Sequence, residues 1–171
     1  FITGGFIELG KSTSRTPSVK SWKAVPWLAG GMAAILLRDP ADTATRDAVQ
    51  TMLNKLAADP DSGIQGILSA SEAMQLGGFP HAAFVVTLKT GYVTGGALTG
   101  PLVSETEQRG THGYNPLTTP EMRSAFFLMG SNVAARKDLE IIDMRQIAPT
   151  LALQMGLTMP SAQETPLAVA K

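Results

Sequence analysis

The sequence predicts a mixed α/β fold. Three observations predict it: short apolar runs of strand length, one long stretch with helical spacing between two of them, and the order strand, helix, strand, short helix, strand. The run MAAILLRD (32–39) is ended by Asp39-Pro40, and its length favours a buried strand over a helix. In ADTATRDAVQTMLNKLAAD (41–59), Ala48, Val49, Met52, Leu53 and Leu56 recur at helical spacing, with Asp42 or Thr43 as N-cap and Asp59-Pro60 as the stop. GIQGILSA (63–70) alternates like a strand, and Ser71 with Glu72 then opens a short helix that Gly77-Gly78 ends. HAAFVVTLKTGYV (81–93) carries β-branched and aromatic residues at strand density, turning at Lys89 to Gly91.

Two later runs continue the pattern. SAFFLMG (124–130) is apolar throughout and bounded by Gly130, as in a strand buried on both faces. RQIAPTLALQMG (145–156) is a helix with Ile147, Leu151 and Met155 on one face, and Gly156 supplies a left-handed stop. Pro149 is compatible with it if the helix begins near Gln146, because the first four helical N–H groups have no acceptor within the helix. The polar run KSTSRTPSVKS (11–21) reads as a loop.

At 171 residues, 44% of them apolar, the chain has the length and composition of one globular domain. Fourteen basic residues balance fourteen acidic ones, so there is no positive field to select nucleic acid or an anionic membrane. The absence of cysteine excludes disulfides, thiolate metal sites and a cysteine nucleophile. The longest apolar stretch, AVPWLAGGMAAILL (24–37), holds Pro26 and Gly30-Gly31 and falls short of the ~20 residues of a spanning helix; it reads as core, with no membrane segment. Phe1 stands where a start methionine is usual and no signal segment follows it, so a processed or truncated product is expected.

The catalytic inventory is small. His81, after Pro80 at the entrance to an apolar strand, reads as a structural or solvent-facing residue. His112 sits between two glycines in a long irregular loop, where the backbone can bring a ring close to a bound ion. On local chemistry it is either a metal ligand or a loop residue with a hydrogen-bonding role, since zinc takes three or four protein ligands and no H-x-x-x-H or H-x-H pair is present. There is no G-x-S-x-G elbow, and the glycine pairs at 3–5, 29–31, 76–78 and 94–96 read as turns and bulges, not phosphate cradles. Trp22 and Trp27 read as packing residues, because no basic residues interleave with an aromatic stripe.

Three blocks in order, GTHGYNP (110–116), PEMRSAFFLMG (120–130) and IIDMRQIAPTLALQMGLTMP (141–160), resemble the C-terminal portion of the type I phosphodiesterase/nucleotide pyrophosphatases of the alkaline phosphatase superfamily. In that family G-T-H-G-Y, a strand preceded by P-E-M-R, and a final I-A-P-T-L helix follow one another. VKSWKAVPWLAGGMAAILLRDPAD (19–42) is similar to the segment that bacterial members carry after an Asp-His-Gly motif.

The resemblance implies that residues 1–171 are the C-terminal segment of a larger catalytic domain. That domain would be an alkaline-phosphatase-like three-layer αβα sandwich, with 32–93 as a small α+β lobe. It implies a phosphate ester or nucleotide substrate, two divalent metal ions, usually zinc, and His112 as the late ligand of one of them. The nucleophile and the other ligands would come from the N-terminal remainder of the protein, which leaves this segment inactive alone. A periplasmic or secreted location follows from the same likeness. One local departure is Asn115, where many members carry Asp. Two other readings share the fold: a stand-alone, catalytically inactive α/β binding module, and a sulfatase or phosphomutase relative of the same superfamily.

Overall fold

The computed structural model describes residues 1–11, 17–108, 110–135 and 138–170. The described residues form a mixed α/β structure with two small antiparallel sheets and three α-helices, a small α+β arrangement. Two compact units divide it, Phe1–Arg123 and Ser124–Lys171. No helix among the described residues is long and apolar enough to cross a membrane.

In the first unit, β1 (Ile7–Gly10) pairs antiparallel with β2 (Ser18–Trp22). The 11–21 run is therefore not all loop: its second half is a strand, and its 12–16 portion lies outside the described residues. The strand forms because its polar residues face outward on a paired ribbon, where Glu8 accepts from Lys20 Nζ at 2.6 Å and from Ser21 Oγ at 2.8 Å.

The larger sheet is built on a hairpin. β3 (Ala24–Ala29) runs into β4 (Met32–Leu37) through the two residues Gly30 and Gly31, and every position from Ala24↔Leu37 to Ala29↔Met32 is paired. Gly30 has φ +68°, the left-handed value that a two-residue hairpin turn requires of its first residue. β6 (Phe84–Leu88) pairs with β4, and β5 (Ile64–Ser69) pairs with β6 on its other side, giving the order β3-β4-β6-β5. β5 is irregular between Ile64 and Gly66.

Alternation along β4 sends side chains to two layers. Ile35 and Leu37 join Phe84, Val86, Ala24 and Phe6 against Val49 and Leu53 of α1 (Thr43–Ala57). Ala34 and Val85 join Ala73 of α2 (Ala70–Gln75) and Ala82 on the other face. Asp42 caps α1, accepting from Thr45 N at 2.9 Å and Thr45 Oγ1 at 2.6 Å. The helix opens one residue earlier than Ser71, at Ala70, and its cap is Ser69. Ser69 Oγ accepts from Glu72 N at 3.3 Å while Glu72 Oε2 accepts from Ser69 N at 2.7 Å, and that reciprocal box needs a spacing of three residues.

Trp27 does not pack as expected; it is 64% exposed. It lies on edge strand β3, opposite Ala34 and on the α2 side of the sheet, but outside the cluster that Ala34 and Val85 form with Ala73 of α2. Trp22 is half-buried and receives the Arg38 guanidinium at 5.5 Å from its ring centroid.

In the second unit, α3 (Ile147–Gln154) follows a single 3-10 turn at Met144–Gln146, which places Pro149 among the first helical residues. The Ile147, Leu151, Met155 face is not the buried one: Leu151 is 41% and Met155 71% exposed, whereas Thr150 is fully buried. Thr150 Oγ1 donates to Gln146 O at 2.6 Å and accepts from Leu167 N at 2.8 Å, so the hydroxyl ties the helix to the following chain. The 124–130 run also departs from expectation. It forms no strand, and Phe127 and Met129 are 87% and 93% exposed, because no described segment lies alongside to complete a hydrogen-bonded ladder.

Asp143 opens the turn before α3. Its carboxylate accepts from Arg145 N at 2.8 Å and from Arg145 Nη2 at 2.7 Å, and Arg145 also reaches Glu164 at 3.0 Å. The Arg145 side-chain and backbone bonds hold the Asp143 carboxyl down to about 2. A carboxyl depressed in the folded state stabilises above its unfolded value near 4 and loses that contribution as pH falls through about 2. Carboxyl-detected NMR titration is expected to place the Asp143 midpoint near 2. In Arg145→Ala the midpoint should return toward the ordinary aspartate range.

Candidate functional site

The loop carrying His112 is placed by glycines on both sides of the contact. Gly31 N donates to His112 O at 2.8 Å, so the β3-β4 turn hydrogen-bonds directly to the backbone of the loop. A Cβ on Gly30 would meet that carbonyl, and a Cβ on Gly113 would meet the Ala29 carbonyl. Gly113 has φ +81°, which a side chain would strain in any case. Two backbones thus approach to a distance that only hydrogen atoms on the α-carbons allow.

Tyr114 fixes the loop from its other end. Its ring lies over Gly31, where a Cβ would collide with the ring, and it is buried to 8% exposure. The hydroxyl donates to Tyr92 O at 2.7 Å. Tyr92 repeats the device: its ring lies over Gly63, whose φ is +73°, and Lys89 N donates to Gly63 O at 2.9 Å. In both cases a left-handed glycine, Gly91 or Gly113, immediately precedes the tyrosine.

Thr94 completes the seat. Its N–H donates to Gly30 O at 2.8 Å, while its buried Oγ1 has no hydrogen-bond partner among the described residues. Thr111 Oγ1 donates weakly to His112 O at 3.4 Å. After Tyr114 the buried Asn115 closes the loop: Oδ1 accepts from Leu117 N at 3.0 Å, and the carbonyl accepts from Thr118 N at 3.1 Å and Thr119 N at 2.9 Å. An aspartate oxygen at this position would accept the same Leu117 bond, so the amide keeps the turn and removes a charge.

The outcome for His112 is a fixed backbone and an open side chain. The residue is exposed, and its imidazole makes no hydrogen bond among the described residues. Either ring nitrogen is therefore open to a ligand. His81 is not brought to it. His81 precedes β6, whose first residues pair with Ile35, whereas Leu88 at the far end of β6 donates to Gly31 O at 2.9 Å beside the His112 loop. The two histidines lie toward opposite ends of one strand.

Among the described residues, no group of three or more His, Asp or Glu side chains comes together to hold a metal ion. The donor set on this loop fits one ligand position, an exposed imidazole on an anchored backbone, and does not form a closed coordination shell. No family model, curated protein or solved structure matches this chain.

Sequence reasoning reached His112 but not Tyr92, Tyr114, Thr94 or Gly63. The signal was the repeated Gly-Tyr dipeptide, at 91–92 and 113–114, in a chain with only two tyrosines. Substituting Gly31→Ala is expected to expel the Tyr114 ring and break the Gly31 N–His112 O bond. Tyrosine fluorescence quenching by iodide should rise relative to the unsubstituted protein, with unchanged far-ultraviolet circular dichroism from the helices.

Proposed function

We propose that this chain is the C-terminal segment of a metal-dependent phosphodiesterase or nucleotide pyrophosphatase, contributing His112 as one metal ligand. The observation that carries the reading is the presentation of His112: the loop backbone is tied down at His112 O, Gly113 and Tyr114, while the imidazole is left exposed and unbonded. A ligand needs that combination, since its position must be set before the ion arrives and its nitrogen must be free. The ordered likeness from GTHGY to IAPTL supplies the family.

Two divalent ions, when bound, supply charge stabilisation to the attacking and leaving oxygens of an in-line displacement at phosphorus. This chain's part would be to present the His112 imidazole as one ligand to such an ion. Tyr114 and the glycine turn keep the loop from retreating, and Asn115 sets its exit. The substrate class on this reading is a small phosphate ester or nucleotide, and the nucleophile and remaining ligands belong to polypeptide before this segment.

The exposed 124–130 run supports the same reading. Phe127 and Met129, exposed in an apolar run that has no partner strand among the described residues, suit a segment of a larger αβα sandwich whose neighbours come from elsewhere. A periplasmic or secreted setting accompanies the proposal by likeness alone.

The test is zinc content and bis-p-nitrophenyl phosphate hydrolysis of the protein that carries this segment, before and after His112→Ala. Outer-shell partners of metal ligands already cost roughly 10–100-fold, so loss of a ligand is expected to cost at least about 100-fold and one equivalent of zinc. Unchanged rate and zinc occupancy would remove His112 from the site.

A further inference from the structure

The first unit holds a cleft near the start of β6, away from the His112 loop. Leu37 and Ala82 form a buried floor, Phe79 and the exposed Met74 form apolar walls, and Arg46 and His81 are the titratable residues lining it. No carboxylate lines it. Its volume is about 210 Å³. A cavity of about 150 Å³ accommodates a benzene ring, so this one has room for a ring and a small substituent.

Both residues have side-chain nitrogens not engaged by other described residues. The Arg46 Nη2 donates to Pro40 O at 2.8 Å, which steadies the guanidinium, and among the described residues its other N–H groups have no side-chain acceptor and Arg46 has no ion pair. His81 makes no hydrogen bond or ion pair there. A planar guanidinium with unused donors matches a carboxylate in a two-bond geometry.

The backbone at this cleft is strained in a specific way. Phe79 has φ +48° and His81 has φ +71°, two of the three non-glycine residues with positive φ among those described, on either side of Pro80. Ala82 N donates to Phe79 O at 3.1 Å to close the turn. A bulky residue in the left-handed region is uncommon, and glycine would relieve it. Instead the chain places there two of the side chains that line the cleft. Strain held by side chains that converge on one cavity is the pattern of a binding site.

We propose that this cleft binds a small organic carboxylate with a ring-sized apolar body, the carboxylate on Arg46 and His81 and the body against Phe79, Leu37 and Ala82. Sodium benzoate is the probe, titrated into the full chain labelled with nitrogen-15 at constant ionic strength, alongside benzamide and inorganic phosphate. Benzoate is expected to give saturable shifts at the amides of Ala70, Phe79, His81 and Ala82; benzamide, which lacks the charge, and phosphate, which lacks the apolar body, should bind at least tenfold more weakly. Arg46→Gln should weaken benzoate at least tenfold. His81→Gly is the decisive variant, because it removes the imidazole and also relieves the backbone: the melting temperature should stay or rise while benzoate affinity falls at least fivefold. Benzamide binding as tightly as benzoate, absence of saturable shifts, or unweakened benzoate binding by folded His81→Gly would overturn the proposal.

Discussion

The absence of side chains at Gly30 and Gly31 is the constraint on which the candidate site depends. The β3-β4 turn could be closed by other residue pairs, but only this one lets a second stretch of backbone lie directly on it. The Gly31–His112 hydrogen bond, the Gly113 approach to Ala29 and the Tyr114 ring over Gly31 all occupy space that a methyl group would fill. The sheet positions the turn in its own way, with Leu88 donating to Gly31 O and Thr94 to Gly30 O, so the loop inherits the rigidity of β4 and β6. A loop of turn residues is thereby converted into a fixed platform for one imidazole.

The rest of the first unit can be seen as support for that platform. α1 and α2 cover opposite faces of the four-stranded sheet, and Val49, Leu53, Ile35 and Phe84 exclude water from one side while Ala73, Ala34 and Val85 pack the other. The small residues of the second layer let a helix of six residues lie close to the sheet. The tyrosine pair then links the turn to Gly63 at the start of β5, so that both ends of the hairpin region are tied to the same set of strands. The second unit has a different character: apart from Pro149, Thr150 and Val169 it buries little, and its order rests on polar ties such as Thr150 to Gln146 and Leu167 and Arg145 to Asp143 and Glu164.

What could be read in the sequence was whatever depended on neighbours along the chain. The spacing of Val49, Met52, Leu53 and Leu56 marks α1, Asp42 caps it, and Gly156 at φ +70° ends the last helix as its position predicts. Errors came where a partner elsewhere decides. Ser18–Trp22 is polar enough for a loop, yet it pairs with β1; SAFFLMG is apolar enough for an inner strand, yet no described segment pairs with it. Trp27 sits on the edge strand, outside the cluster that α2 packs. At the site, the letters of GTHGYNP identify His112, but nothing in them tells that Gly31, some eighty residues earlier, is the surface on which the loop rests. Two Gly-Tyr dipeptides and two matching glycines are visible in the sequence, and which lies on which is a property of the sheet register.

The central claim, that the glycine turn holds the His112 loop, is tested most directly by amide hydrogen exchange at Gly31. That N–H points out of the hairpin to His112 O and has no part in the β3-β4 ladder itself. If the loop is seated as described, Gly31 exchanges as slowly as Leu88 and Thr94, whose amides bond to the same turn. Exchange of Gly31 at the rate of an open loop amide, with Leu88 still protected, would show that the sheet is intact and the seat is not formed.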